Sequence, residues 1–183
     1  MKIFQLFDGF RLLCAVKKGP YGVFALNLLI EQVLQKERLI DTGKQWYRGR
    51  PILITKNDYN LGLFNGDIGI ILPDPASDNE LRAFFLSPDG TVRRFLPVRL
   101  HEHETVYAMT AHKCQGSEFD RALLILPERH APVLTRELIY TGITRARESA
   151  EVWAREGVFL EAVRKRTQRA SGLRDAIWGE ECL

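Results

Sequence analysis

The feature that most constrains this chain is a block from about Gly49 to Val106 in which every apolar run is short and turn residues separate the runs. Pro51 to Thr55, Ile68 to Leu72, Leu81 to Leu86 and Val92 to Leu96 read as β-strands. Asn65-Gly66-Asp67, Pro73-Asp74-Pro75 and Pro88-Asp89-Gly90 lie between them. Runs of this length at this spacing predict a small antiparallel barrel or meander. Gly66 is expected in the positive-φ position of a tight hairpin, and Gly90 in a similar one.

The flanks have a different period. Phe10 to Val16 is an apolar strand-like run, and Gly19-Pro20-Tyr21-Gly22 is turn chemistry. Val23, Leu26, Ile30, Val33 and Leu34 then recur at helical spacing, predicting an amphipathic helix that ends near Arg38. After Thr105, Val106 to Thr110 and Ala122 to Leu126 read as strands, and Ala150 to Ala154 as a third. Leu138, Ile139, Gly142, Ile143 and Ala146 mark a helix with Thr135 as N-cap, and Val158, Phe159, Ala162 and Val163 mark a last one. The predicted fold is an α/β layer, 1–48 and 105–183, interrupted by a β insertion, 49–104.

Composition narrows the class. The chain has 183 residues, 45% hydrophobic and 27% charged, which is ordinary for one globular domain or two small ones. No apolar run approaches the ~18 residues that span a bilayer. Met1 to Arg11 lacks the apolar core and small-residue site of a secretory signal. The net charge of +3 is too mild to argue for nucleic acid by itself. The three cysteines, Cys14, Cys114 and Cys182, form no C-x-x-C, which argues against structural zinc and for reduced thiols in the cytoplasm.

Two segments carry chemistry. Met109 to Asp120 puts glycine, polar and charged residues directly after an apolar strand, where α/β sheets bind ligands. Gly116 permits close backbone approach to a phosphate, while His112, Lys113 and Gln115 offer donors and Glu118 can accept from a sugar hydroxyl. A polar connecting loop explains these residues equally well. The second segment, Tyr140 to Arg147, is expected to carry Arg145 and Arg147 on a helix, pointing to different faces.

In this order the two segments resemble motifs V and VI of superfamily 1 helicases. Motif V, T-x-H-x-x-Q-G-x-E-F, is matched by Thr110, His112, Gln115, Gly116, Glu118 and Phe119. Motif VI, Y-x-x-x-T-R-A-R, is matched by Tyr140, Thr144, Arg145, Ala146 and Arg147. Leu12-Leu13-Cys14-Ala15, Gly19 to Val23 and Leu26-Asn27 are similar to the motif IV region of RecD-type helicases. Trp46-Tyr47, Gly49-Arg50-Pro51, Asn57-Asp58, Leu63 to Gly69 and Leu100 with Glu102 to Glu104 are similar to the RecD insertion. Arg166-Thr167 through Ser171-Gly172-Leu173 extends the resemblance toward the end of the chain. Cys114 departs from the usual serine or other small residue, and is itself small.

The resemblance implies a second RecA-like motor domain (2A) interrupted by a Src-homology-3-like antiparallel β-barrel (2B). It also implies ATP bound in a cleft between two RecA-like domains. Arg145 would be the catalytic arginine finger. Glu118 would accept from the ribose, and Gln115 and Gly116 would couple nucleotide to DNA. Thr110, His112 and Lys113 would face single-stranded DNA. No G-x-x-x-x-G-K-[ST] occurs; Gly43-Lys44-Gln45 is the only Gly-Lys step. No Asp-Glu pair ends an apolar strand, so the Mg²⁺ ligands are expected in an N-terminal domain of a longer protein, with no metal site here. RecB and RecC are the implied partners, 5′→3′ the implied direction, and the cytoplasm the implied location, with no membrane contact. Rival expectations are the tail of a stand-alone RecD-like or relaxase-linked helicase, a non-enzymatic nucleic-acid-binding module, and a partner-binding domain.

Overall fold

The computed structural model describes residues 2–167. Cys182 and the Ser171-Gly172-Leu173 segment lie outside the described residues. A four-stranded parallel sheet holds β1 (Phe10–Cys14), β7 (Ala108–Thr110), β8 (Phe119–Ile125) and β9 (Ala146–Trp153), in the order β7-β1-β8-β9. Its inner strands are mostly apolar because much of both faces is covered. Successive side chains alternate between the faces. Leu13, Met109 and Leu124 pack on one side with Leu138 and Ile139 of α3 (Arg136–Ile143) and Ala162 of α4 (Glu156–Arg164). Cys14, Ala108 and Ile125 pack on the other with Val23 and Leu26 of α2 (Val23–Lys36).

The insertion is a five-stranded antiparallel sheet: β2 (Pro51–Ile54), β3 (Ile68–Asp74), β4 (Glu80–Leu86), β5 (Val92–Phe95) and β6 (His103–Thr105), ordered β5-β4-β3-β2-β6. Ile52, Ile54, Leu63, Ile71, Ala83, Phe85 and Leu100 form its core. Gly66 and Gly90 have φ of 104° and 82°. Gly90 lies in the tight β4–β5 hairpin, whereas Gly66 lies not in a tight hairpin but in the Phe64–Asp67 turn at the end of the long β2–β3 connection. The two sheets share apolar packing. Leu53 is buried in the motor-sheet core beside Val106, and Ile68 packs against it.

Several elements differ from the sequence reading. A short helix, α1 (Lys2–Asp8), precedes β1; its 7 residues are too few to display a helical period. The three-residue strand β6 also escaped detection. The helix with N-cap Thr135 forms, and the Thr135 hydroxyl accepts from Leu138 N–H at 3.4 Å. It ends at Ile143, however, so Arg145 and Arg147 are not on a helix. Phe119 N–H donates to the Arg145 carbonyl at 2.8 Å and draws the chain onto the edge of β8. Thr144 is the helix C-cap, Arg145 lies in the turn, and β9 starts at Ala146, earlier than the expected Ala150.

Buried Asn27 completes the sheet edge. Its amide donates to the Ala108 carbonyl at 3.0 Å and accepts from Ala108 N–H at 2.9 Å, standing in for a neighbouring strand.

Candidate nucleotide and DNA site

The loop between β7 and β8 joins opposite ends of the motor sheet. Thr110 pairs with Cys14 at the carboxyl end of β1, whereas Phe119 pairs with Ala146 at the amino ends of β8 and β9. Ala111 and Cys114 are buried within the loop, and Phe119 is buried where it enters β8. The Cys114 thiol donates to the Ala111 carbonyl at 3.0 Å, and burial pushes its pKa up to about 11. His112, Gln115, Gly116, Ser117 and Glu118 are left exposed. Gly116 takes φ +90°, which a side chain would strain, and open space surrounds it.

At the amino end of β8, Arg145 is half-buried. Its Nε donates to the Thr141 carbonyl at 3.3 Å, Nη1 to the Ser117 carbonyl at 3.2 Å and Nη2 to the Thr144 hydroxyl at 3.4 Å. Motifs V and VI are therefore stitched together in both directions. Gly142 permits this approach, because a Cβ there would meet the Leu124 side chain at 2.9 Å. Arg147 pairs with Glu118 at 3.3 Å and Asp120 at 3.5 Å, both exposed contacts of small energetic weight.

At the carboxyl end, Thr110 is buried, and its hydroxyl and carbonyl both accept from Lys113 N–H, at 3.3 and 3.0 Å. The Lys113 ammonium meets Glu104 of the insertion at 2.6 Å. His112 projects into solvent beside them. Thr110, His112 and Lys113 thus share one end of the loop, and Glu118 and Arg145 the other, with Gln115 and Gly116 between.

Polar and aromatic residues outside these two segments are placed differently. Asn57 accepts from Asn65 N–H at 2.9 Å within a turn. Tyr47 is buried, and Trp46 stacks on His103 with ring centroids 4.8 Å apart. Lys17 and Lys18 are exposed in the turn before α2.

Sequence reasoning missed Arg11. Its guanidinium is 1% exposed, between the rings of Phe7 at 3.8 Å and Phe119 at 4.7 Å. It donates to the Phe7 carbonyl at 3.3 Å and to Asp8 at 3.4 Å, while Nε and Nη1 have no partner. Burial lowers its pKa to about 10, leaving it charged at neutral pH. A charged residue inside the apolar run Phe10 to Val16 was the available signal.

The donor set fits half of a nucleotide site: guanidinium groups for phosphate and a carboxylate for a sugar hydroxyl. No group of three or more His, Cys, Asp or Glu residues that could hold a metal ion occurs among the described residues. No helix among the described residues is long and apolar enough to cross a membrane.

Comparisons with known proteins give a family and a fold. Residues 105–152 match the UvrD-like helicase C-terminal domain, and residues 26–85 match the ATP-dependent RecD-like DNA helicase SH3 domain. In fold, the chain resembles Bacteroides Pif1 helicase in complex with ADP-AlF3 and ssDNA, at TM-score 0.50 and 14% identity, covering 94% of this chain and 46% of that one. These features give the chain the fold of a UvrD-like helicase C-terminal domain with a RecD-like SH3 insertion.

The RecBCD enzyme subunit RecD of Mycobacterium tuberculosis is 39% identical over 175 residues, 96% of this chain and 30% of that protein. The Haemophilus influenzae subunit of the same name is 38% identical over 169 residues, 91% of this chain and 25% of that protein. The ATP-dependent RecD2 DNA helicase of Deinococcus radiodurans is 33% identical over 181 residues, 91% of this chain and 23% of that protein. The chain belongs to the RecD family and spans between a quarter and a third of the length of the two RecD subunits.

Proposed function

We propose that this chain is the second motor domain of an ATP-dependent 5′→3′ DNA helicase, the RecD subunit of the RecBCD exodeoxyribonuclease V. It would act in the cytoplasm with RecB and RecC at double-strand breaks. The observation that carries the reading is the single loop with Thr110 at one end of the sheet and Glu118, held beside Arg145, at the other. Such a loop is suited to link nucleotide state to DNA grip.

ATP would bind against this edge, the P-loop and Mg²⁺ ligands coming from another part of the longer protein. Arg145 supplies fixed positive charge to the transferring phosphoryl group, an effect worth ~10³–10⁵ in rate in comparable systems. Glu118 accepts from the ribose and holds the nucleotide in register. Gln115 and Gly116 carry the change along the loop. Thr110 and His112 meet the DNA backbone at the far end.

The test uses the full-length protein that contains this chain. It should hydrolyse ATP faster with single-stranded DNA, displace a strand from a 5′-tailed duplex, and copurify with RecB and RecC. DNA binding with no ATPase would point to a non-enzymatic module. ATPase without RecB or RecC would point to a stand-alone helicase.

A further inference from the structure

We infer that Lys113 and Glu104 form a strut that holds the DNA-facing end of the loop to the β insertion, and that Glu104 is a positioning residue for DNA binding. This rests on the helicase reading above and assigns Lys113 a role other than direct DNA contact.

Lys113 is engaged at both of its polar ends. Its main-chain N–H donates to the carbonyl and hydroxyl of Thr110. Its ammonium lies 2.6 Å from Glu104 Oε1, with side chains 24% and 32% exposed respectively. A phosphate approaching this ammonium must compete with a carboxylate already in contact. The same carboxylate repels a phosphate near it. The pair is therefore poorly arranged for phosphate capture and well arranged for positioning.

Glu104 is itself firmly placed. It sits on β6 opposite Leu53, whose side chain is buried in the motor-sheet core. The adjacent Thr105 hydroxyl accepts from Arg50 Nε at 3.1 Å and Nη2 at 2.9 Å. The strut thus runs from the Thr110 strand end, through Lys113, to the strand where insertion and motor meet. A rotation of the insertion would be felt at Thr110 and His112 without any contact between insertion and DNA.

The experiment compares Glu104→Gln, Lys113→Ala and the exchanged pair Glu104→Lys with Lys113→Glu in the full-length protein. Half-saturation by single-stranded DNA is measured in the ATPase, and the binding of a fluorescent oligothymidylate is measured across a salt series. Each single substitution should raise the half-saturating DNA concentration about three- to fivefold, as expected for losing a partly buried ion pair. The saturated rate should change less than twofold, the salt slope should stay that of wild type, and the exchanged pair should recover most of the affinity. The inference is overturned if Lys113→Ala weakens binding and lowers the salt slope by about one while Glu104→Gln does not weaken it. Lys113 would then be a phosphate contact. It is equally overturned if the exchanged pair is no better than the single variants, or if no variant alters binding. Wild-type protein without DNA-stimulated turnover would overturn the helicase reading instead, and the binding isotherms would still decide the strut.

Discussion

Arg145 Nη1 donates to the Ser117 carbonyl at 3.2 Å, while the Arg145 carbonyl accepts from Phe119 N–H at 2.8 Å. This reciprocal pair fixes the exit of α3 against the start of β8. It also holds a guanidinium at the same edge as Glu118. An arginine leaving Ser117 for a phosphate would release one end of a loop whose other end is Thr110.

Arg11 tests how a buried charge is tolerated. Arg11→Met removes the unpartnered Nε and Nη1 while filling the space between Phe7 and Phe119. It should change the unfolding free energy by no more than about 1 kcal/mol, since the Asp8 left behind is half exposed and stays solvated while the cost of burying an incompletely partnered charge is removed. Arg11→Ala should cost about 2–4 kcal/mol through the cavity it leaves. Urea denaturation of both variants checks this, and a larger loss for Met than for Ala would contradict it.

Asn27 makes a stability prediction of a different kind. Asn27→Leu keeps the branched shape but strands the N–H and C=O of fully buried Ala108. Leaving these groups unpaired should cost about 2–4 kcal/mol. Hydrogen exchange at the Ala108 amide should accelerate; unchanged protection would show that another group satisfies it.

The cysteines should be inert in the folded protein. Burial pushes the pKa of Cys14 up to about 12 and that of Cys114 up to about 11, so neither offers a thiolate near neutral pH. In a Cys182→Ser background, a thiol reagent should label neither site until denaturant is added. Rapid labelling of native Cys114 would mean that the loop opens readily.

His103 makes the insertion sensitive to acid. Burial, and then the nearby Arg50 cation, lower its pKa below 6.5, against a raising contribution from the Leu100 carbonyl. The unfolded chain therefore takes up a proton near pH 6.5 that the folded chain resists. The stabilising difference is present above that pH and is lost as pH falls through the folded value. His103→Gln should flatten the loss of stability between neutral and mildly acidic pH, read from urea melts at each pH.

The legible parts of this molecule were those decided locally. β1 and α2 follow from their apolar patterns, the positive φ of Gly66 and the hairpin at Gly90 from turn chemistry, and the start of α3 from Thr135. The candidate site was legible as spaced residue types, from Thr110 to Phe119 and Tyr140 to Arg147. What escaped depends on distant chain. The end of α3 at Ile143 reflects the bond from Phe119 N–H to Arg145, which no window around Arg145 contains. The pairing of Lys113 with Glu104, the Arg11 sandwich and the edge role of Asn27 likewise require the packed sheet. α1 and β6, at 7 and 3 residues, are too short to show a period.

The most direct measurement is the single-strand-stimulated ATPase of the full-length protein with Arg145→Ala, run beside nucleotide binding by the same variant. The account predicts turnover reduced by roughly a thousandfold or more, with nucleotide affinity retained within a few fold. Turnover close to wild type with binding intact would contradict the assignment of Arg145, and with it the reading of this edge as the nucleotide-facing half of a motor.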